Sequence, residues 1–323
     1  MSKTIKEIKN VAKRTIELEG NAILSLANFI DDEFAQVANT ILQSKGRLIV
    51  TGVGKSANIA QKMVSTFNST GQPAVFMHAA DALHGDLGNI QPNDIVICLS
   101  KSGSTPEIKT LLPLLKEMGN PIVAFCGSEN SYLSQHADWT ILTTVEKEAC
   151  PNNLAPTTST TAQLVMGDAL AVCLLECRQF TDADFAKYHP GGALGKKLFL
   201  KIGDLCQFDD MPKVSPNDSI QKVIVEISKK RLGATAVVLG QTIKGIVTDG
   251  DIRRMLEKTA DWNTLQAKDI MSTSPKIIQF DELASKALDI MEQNNISQII
   301  VLKSTTYLGI VHIHDILKEG IAS

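Results

Sequence analysis

Arg47-Leu-Ile-Val-Thr-Gly52-Val-Gly54-Lys55-Ser56-Ala57 decides the fold. The apolar run shows no polar alternation, the mark of a strand covered on both faces in a parallel sheet. Two glycines then allow a tight turn into a helix whose free amides suit an anion. Working outward, the same texture returns at Pro73–His78, Asp94–Leu99, Pro121–Cys126 and Trp139–Thr143. Segments 55–70 and 105–118 are long enough for crossover helices, a further helix is expected over 158–180, and residues 3–45 have helical apolar spacing. The alternation predicts an α/β, doubly wound parallel sheet.

In such a sheet ligands sit at the carboxyl ends of the strands. After the first strand, Gly52, Gly54, Lys55 and Ser56 form an anion-accepting turn, or simply a tight strand–helix packing turn. A Walker A loop would need glycine where Ile49 stands. Gly52-x-Gly54-x-x-Ala57 fits a dinucleotide fingerprint, so an NAD-dependent dehydrogenase is one rival. Against it, the second strand ends in Phe76-Met77-His78 instead of an acidic ribose ligand, with Asp81 a loose substitute. His78 and His84 lie at this edge as acid–base candidates or surface residues. The third strand runs into Ser100-Lys101-Ser102-Gly103-Ser104-Thr105-Pro106-Glu107, hydroxyls at a helix start that suit a phosphate monoester. A plain helix cap is the alternative, and Glu107 is also good first-turn chemistry. After the fifth strand, Glu148 precedes a hydroxyl run that includes Thr158 and Ser159, a second anion-binding edge or a polar linker.

Beyond His189-Pro-Gly-Gly-Ala-Leu-Gly195 the rhythm changes and a repeat appears. Gly245-Ile-Val-Thr-Asp-Gly-Asp251-Ile252 returns as Gly309-Ile-Val-His-Ile-His-Asp315-Ile316, each copy after a helix and an apolar strand.

The chain has 323 residues, 44% of them apolar, and a formal net charge of −3 with basic residues scattered. No basic stripe suggests nucleic acid or a membrane surface as partner. Residues 1–20 form a charged amphipathic stretch without the apolar core of a signal peptide. No run approaches the ~18 uncharged apolar residues of a membrane span. Cys98, Cys126, Cys150, Cys173, Cys177 and Cys206 include no CxxC pair, and Cys173 with Cys177 reads as helix packing. A cytoplasmic protein is expected.

Taken in order, Gly52–Ser56, His84-Gly-Asp-Leu-Gly88, Ser100–Glu107, Glu148-Ala-Cys-Pro151 through Thr157, and His189–Gly195 resemble the sugar-isomerase (SIS) domain. The repeat resembles a tandem pair of CBS modules. The whole chain is similar to the arabinose-5-phosphate isomerase family. The resemblance implies an SIS domain over 1–200 and a tandem CBS α+β pair over 201–323, with modules at 204–260 and 268–323. It implies interconversion of D-ribulose 5-phosphate and D-arabinose 5-phosphate, the entry step toward Kdo for lipopolysaccharide or capsule. It implies a homotetramer, no required cofactor, and a non-essential zinc for which His78 is the candidate. Lys55, Glu107, Glu148 and His189 fall on the family's catalytic positions, and Gly71, Gln72, His78 and His84 in its substrate-contacting stretch. In the CBS pair, Gly245, Thr248 and Asp251 keep a nucleotide pattern of which the second copy retains Gly309 and Asp315. A nucleotide or nucleotide-sugar is the expected ligand there.

Aldose–ketose isomerisation needs a base, a polarised carbonyl and an acid–base for ring opening. The expected roles are Glu148 as enediol base, Lys55 on the oxyanion, His84 or His189 at the ring, and Glu107 orienting or substituting. A phosphosugar-sensing regulator is the non-enzymatic rival; it would carry a basic helix-turn-helix, and none is evident.

Overall fold

The computed structural model describes residues 4–206, 211–259 and 261–321, so parts of both expected CBS spans lie outside the described residues. The chain divides into two compact units, Met1–Tyr188 and His189–Ser323.

The first unit opens with α1 (Ile5–Ser25), a 3₁₀ turn, and α2 (Asp32–Gln43), so the helical stretch expected over 3–45 is broken in two. The break falls at Ile30-Asp31, where the Asp31 side chain caps α2 by accepting from the Phe34 amide at 3.0 Å. There follow β1 (Leu48–Gly52), α3 (Lys55–Ser69), β2 (Ala74–His78), α4 (Ala79–Ala82), β3 (Ile95–Ser100), α5 (Pro106–Met118), β4 (Ile122–Cys126), α6 (Tyr132–His136), β5 (Trp139–Leu142), α7 (Thr158–Cys177) and α8 (Asp182–Tyr188). All neighbouring strands are parallel, in the order β2-β1-β3-β4-β5.

Side chains alternate between the sheet's two faces. Leu48, Val50, Ile97 and Phe125 pack with α2, α3 and α7 on one face. Ile49, Val96, Cys98 and Ala124 pack with α5 and α6 on the other. At the amino ends of the strands, buried Asp94 accepts from the Arg47 amide at 2.8 Å, the Arg47 guanidinium at 2.7 Å and the Gln91 amide at 2.9 Å. Burial pushes this carboxyl's pKa up, but the Arg47 and Gln91 bonds outweigh it and hold it below its usual value.

By length and composition, α7 is apolar enough to cross a membrane, which the sequence reading did not expect. Its Ala162, Met166, Leu170 and Leu174 are core residues of this unit, packed with α3. Cys173 packs against that core, whereas Cys177 is exposed, so packing accounts for only one of the pair.

The second unit comprises α9 (Ala193–Phe199), a 3₁₀ turn (Ile202–Leu205), β6 (Lys213–Val214), α10 (Ile220–Lys230), β7 (Ala234–Leu239), β8 (Thr242–Thr248), α11 (Asp249–Lys258), α12 (Ala267–Ile270), β9 (Ile277–Gln279), α13 (Ala284–Gln293), β10 (Gln298–Lys303), β11 (Thr306–His312) and α14 (Ile313–Lys318). The repeat is visible as two like sheets, β6-β7-β8 and β9-β10-β11, each a parallel pair plus an antiparallel hairpin. The opening turns are exchanged. Lys201, just ahead of the first copy, bridges Leu283 of the second, and Gln266 ahead of the second bridges Ser219 of the first.

Compactness thus divides the chain ahead of the boundary expected at 200/201. The reason is α9, which packs against α13 and pairs Lys196 with Glu319 at 2.7 Å. Gly195 lets the chain fold tightly there, since a Cβ would lie 2.3 Å from the His189 carbonyl oxygen.

Candidate active site

Because β2 lies on one side of β1 and β3 on the other, the turns leaving β1 and β3 diverge and open a crevice. A cleft of about 320 Å³ fills it, lined from three directions. Lys55 and Ser56 come from the start of α3, Ser100–Ser102 and Thr105 from the turn before α5, and Pro156, Ser159 and Thr160 from the start of α7.

Gly54 caps α3 at φ +57°, a conformation that favours glycine. Gly52 is equally constrained, since a Cβ would lie 3.1–3.2 Å from the backbone of Ser56 and Ala57. After β3, Gly103 at φ +60° donates its amide to Ser100 Oγ at 3.1 Å. A Cβ on Gly103 would lie 2.2 Å from Ser131 Oγ. Ser102 Oγ accepts from the Ser104 amide at 3.3 Å. Thr105 Oγ1 is buried at the cleft and has no hydrogen-bond partner among the described residues. Ser102 and Thr105 therefore stand at the positive end of α5 with hydroxyls suited to an anion.

Glu148 is the most elaborately held group. Its Oε2 accepts from the amides of Thr157 and Ser159 at 2.9 and 3.1 Å. Its Oε1 accepts from Ser159 Oγ and from Lys101 Nζ, each at 2.5 Å. Burial pushes the pKa up, but the Lys101 bond, then the Ser159 and Thr157 bonds, outweigh it and bring it to about 2.

The structure gathers Lys55, Ser56, Ser100, Ser102, Thr105 and Ser159 around one cleft, with Glu148 held by two residues that line it. Other expected residues lie elsewhere. Ser104 turns its Oγ to the Tyr132 amide at 3.2 Å, fastening α6. Thr158 is buried and accepts from the Ala149 amide at 3.0 Å, so it fixes the Glu148 loop and does not line the cleft. Gly71 and Gln72 precede β2, at the sheet edge opposite the cleft. There Gly71 packs under Phe180, and Gln72 accepts from Arg178 at 2.5 Å. Glu107 is in the first turn of α5, and its carboxylate has no hydrogen bond or ion pair among the described residues. His84 is exposed in the turn after α4 and does not line the cleft. His189 begins the second unit.

His78 ends β2 in register with Gly52, so it shares the carboxyl edge with the cleft, one strand out. Its Nδ1 is buried without a hydrogen-bond partner, 3.9 Å from Asp81. One imidazole and one carboxylate fall short of a zinc site's usual set of three or four ligands. Among the described residues no group of three or more His, Cys, Asp or Glu could hold a metal.

Two residues escaped the sequence reading: Lys101, and Gln163, whose Oε1 accepts from Ser56 Oγ at 3.2 Å. Lys101 follows the end of β3 directly, which was the available signal. Gln163 sits one turn after Ser159 in α7, where only the helix phase reveals it. A larger hollow of about 600 Å³ lies between α1 and the segment after β5. Its charged lining residues, Arg14, Glu17, Glu146 and Lys147, are of mixed sign, without the convergent hydroxyls of the strand-end cleft.

In the second unit, a cleft of about 460 Å³ brings Thr248, Asp251 and Arg254 of the first copy against Ser274, Lys276 and Gln298 of the second. Thr248 and Asp251 also cap α11 reciprocally, with Thr248 Oγ1 donating to Asp251 Oδ2 at 2.7 Å, and Arg254 pairs with Asp251. Asp315 occupies the matching place in α14, where His312 replaces threonine yet keeps the cap.

The SIS domain family matches residues 41–173, and the CBS domain family matches 202–258 and 267–321. The probable arabinose 5-phosphate isomerase of Haemophilus influenzae is 44% identical over 92% of this chain and 88% of its own length. The arabinose 5-phosphate isomerase KdsD of Francisella tularensis is also 44% identical, over 96% of each chain. The chain belongs to the arabinose 5-phosphate isomerase family. Among solved structures, Escherichia coli CFT073 c3406 in complex with arabinose 5-phosphate is 39% identical, with a TM-score of 0.57 over 58% of this chain and all of that one. A putative sugar-phosphate isomerase from Listeria monocytogenes is 33% identical, with the same TM-score and coverage. The parallel-sheet fold and the tandem CBS repeat expected from sequence are thereby borne out.

Proposed function

We propose that this chain interconverts D-ribulose 5-phosphate and D-arabinose 5-phosphate through a cis-enediol. The observation that carries the reading is the β1/β3 cleft, where the Ser102 and Thr105 hydroxyls ahead of α5 share lining with Lys55 and with the residues that hold Glu148. The phosphate sits at Ser102 and Thr105. Glu148 takes the proton from the carbon beside the carbonyl and returns it to the neighbouring carbon, and Lys55 steadies the oxyanion. His84 of the first unit is the imidazole assigned to ring opening, and Glu107 stands by as a second carboxylate. No redox cofactor is needed, because the reaction moves only protons. Incubation with ribulose 5-phosphate alone should yield arabinose 5-phosphate; absence of product from folded protein would overturn the reading.

By the same reading the enzyme is cytoplasmic and supplies the first step toward Kdo. It assembles as a homotetramer, supported by α1, which buries none of its residues and leaves Ile5, Ile8, Ile16 and Leu24 exposed. The CBS cleft takes a nucleotide or nucleotide-sugar, with Thr248 and Asp251 on the ribose side and Arg254 and Lys276 as cations for phosphate. Calorimetry with adenine and cytidine nucleotides and their sugar conjugates tests that part.

A further inference from the structure

All but one of the hydrogen bonds to the Glu148 carboxylate come from the first turn of α7 and the residue capping it: the amides and hydroxyls of Thr157 and Ser159. These are short groups fixed by the helix. The exception is Lys101, which reaches Oε1 from the turn after β3. Its side chain is 47% exposed, whereas that of Glu148 is fully buried. Lys101 is thus the partner with the length and exposure to swing to a new acceptor, whereas the two amides are fixed by the helix.

Held by these donors, Glu148 is a poor base. A carboxylate held by five donors at a pKa of about 2 has little affinity for a proton taken from carbon. Lys101 adjoins Ser102 in the chain, and both line the cleft. An ammonium on a flexible four-carbon stem can move to a phosphate seated there. A sugar phosphate brings about −1.5 to −2 charges, against a single carboxylate already supplied with donors from α7.

We propose that Lys101 is exchanged from Glu148 to the substrate's phosphate, so that phosphate recognition releases the base. The inference rests on the isomerase reading of the cleft. The charged residues lining the cleft beside Glu148 are Lys101 from the β3–α5 turn and Lys55 from α3, and besides Lys101 the groups bonded to the carboxylate are the amides and hydroxyls of Thr157 and Ser159. Glu146 and Lys147 of its own segment line the separate hollow beside α1. After the exchange, the α7 donors keep the carboxylate oriented while Oε1 loses its strongest partner.

The test uses the full chain with Lys101→Met and Lys101→Arg, and with Lys101→Gln as a second neutral variant should Met not fold. The parent is first assayed with ribulose 5-phosphate, which tests the isomerase reading by itself. Lys101→Met should weaken inorganic phosphate binding, read by calorimetry, and raise KM, each by about tenfold or more, the usual loss of a charge-assisted contact. The acid limb of kcat/KM, which reports the free enzyme, should move to higher pH, while that of kcat stays near the parent's. Lys101→Arg should restore most of the phosphate affinity and the parental acid limb. A Met or Gln variant with parental phosphate affinity and an unmoved kcat/KM limb would overturn the exchange. If the parent shows no turnover, the isomerase reading falls, and phosphate binding unaffected by the substitution would still sink the role of Lys101.

Discussion

Ser56 Oγ donates to Gln163 Oε1 at 3.2 Å, joining the first turn of α3 to α7 beneath the cleft. The Ser56 proton is thereby committed, and its oxygen can only accept from whatever enters the cleft. That suits a sugar hydroxyl better than a phosphate. Gln163 is itself buried, and its Nε2 has no hydrogen-bond partner among the described residues.

Gln163→Leu should therefore stabilise the protein by about 1 kcal/mol, because an unpaired buried amide is replaced by an apolar group of similar volume. The same change frees the Ser56 hydroxyl to rotate, so KM for the sugar should rise a few-fold with kcat near the parent's. Urea midpoints and steady-state kinetics read the two effects separately. A destabilised variant with unchanged KM would show that the amide is satisfied in solution and does not position Ser56.

Glu148→Gln should lower kcat by ~10²-fold or more, the usual consequence of losing a general base. It should also change how stability depends on pH. The folded pKa of about 2 lies below the ordinary 4.5, so the ionised carboxylate stabilises the fold fully above 4.5. That contribution fades as pH falls from 4.5 toward 2. The stability gap between parent and variant, followed by denaturant unfolding, should narrow over that window. A gap that stayed constant would mean the carboxylate is not held as described.

Ser102→Ala with Thr105→Ala removes two hydroxyls from the start of α5. KM for both sugar phosphates should rise strongly, since charge-assisted contacts to a phosphate are lost. Unchanged KM in the double variant would move the phosphate to another edge of the cleft.

Asp94→Ala probes the fold at the opposite end of the sheet. It leaves the Arg47 guanidinium and two backbone amides without their buried acceptor, which should destabilise the protein by about 3 kcal/mol. KM should not change in the folded fraction, because Asp94 lies at the amino ends of the strands. A shift in KM with normal stability would contradict this placement.

The sheet and its crevice were legible because parallel strands leave apolar runs and Gly52, Gly54 and Gly103 mark where the chain must turn. What sequence could not supply was the direction of individual side chains. Thr158 and Ser159 are adjacent and chemically alike, yet successive helix residues point about 100° apart, so one fastens the Glu148 loop and the other lines the cleft. Gly71 and Gln72 were assigned by motif position, whereas their place ahead of β2 puts them at the far edge. Lys101 and Glu148 meet only because β3 and the loop after β5 end at the same edge, a long-range relation that leaves no local trace.

The crossed opening turns of the second unit bear on its history. Gln266 and Lys201 each anchor the copy that is not their own. A duplication that has traded parts in this way cannot be reversed by deleting one half, because the surviving half would lose the turn that completes it. The two copies differ at single positions, Thr248 against His312, yet each is held by the other's opening turn.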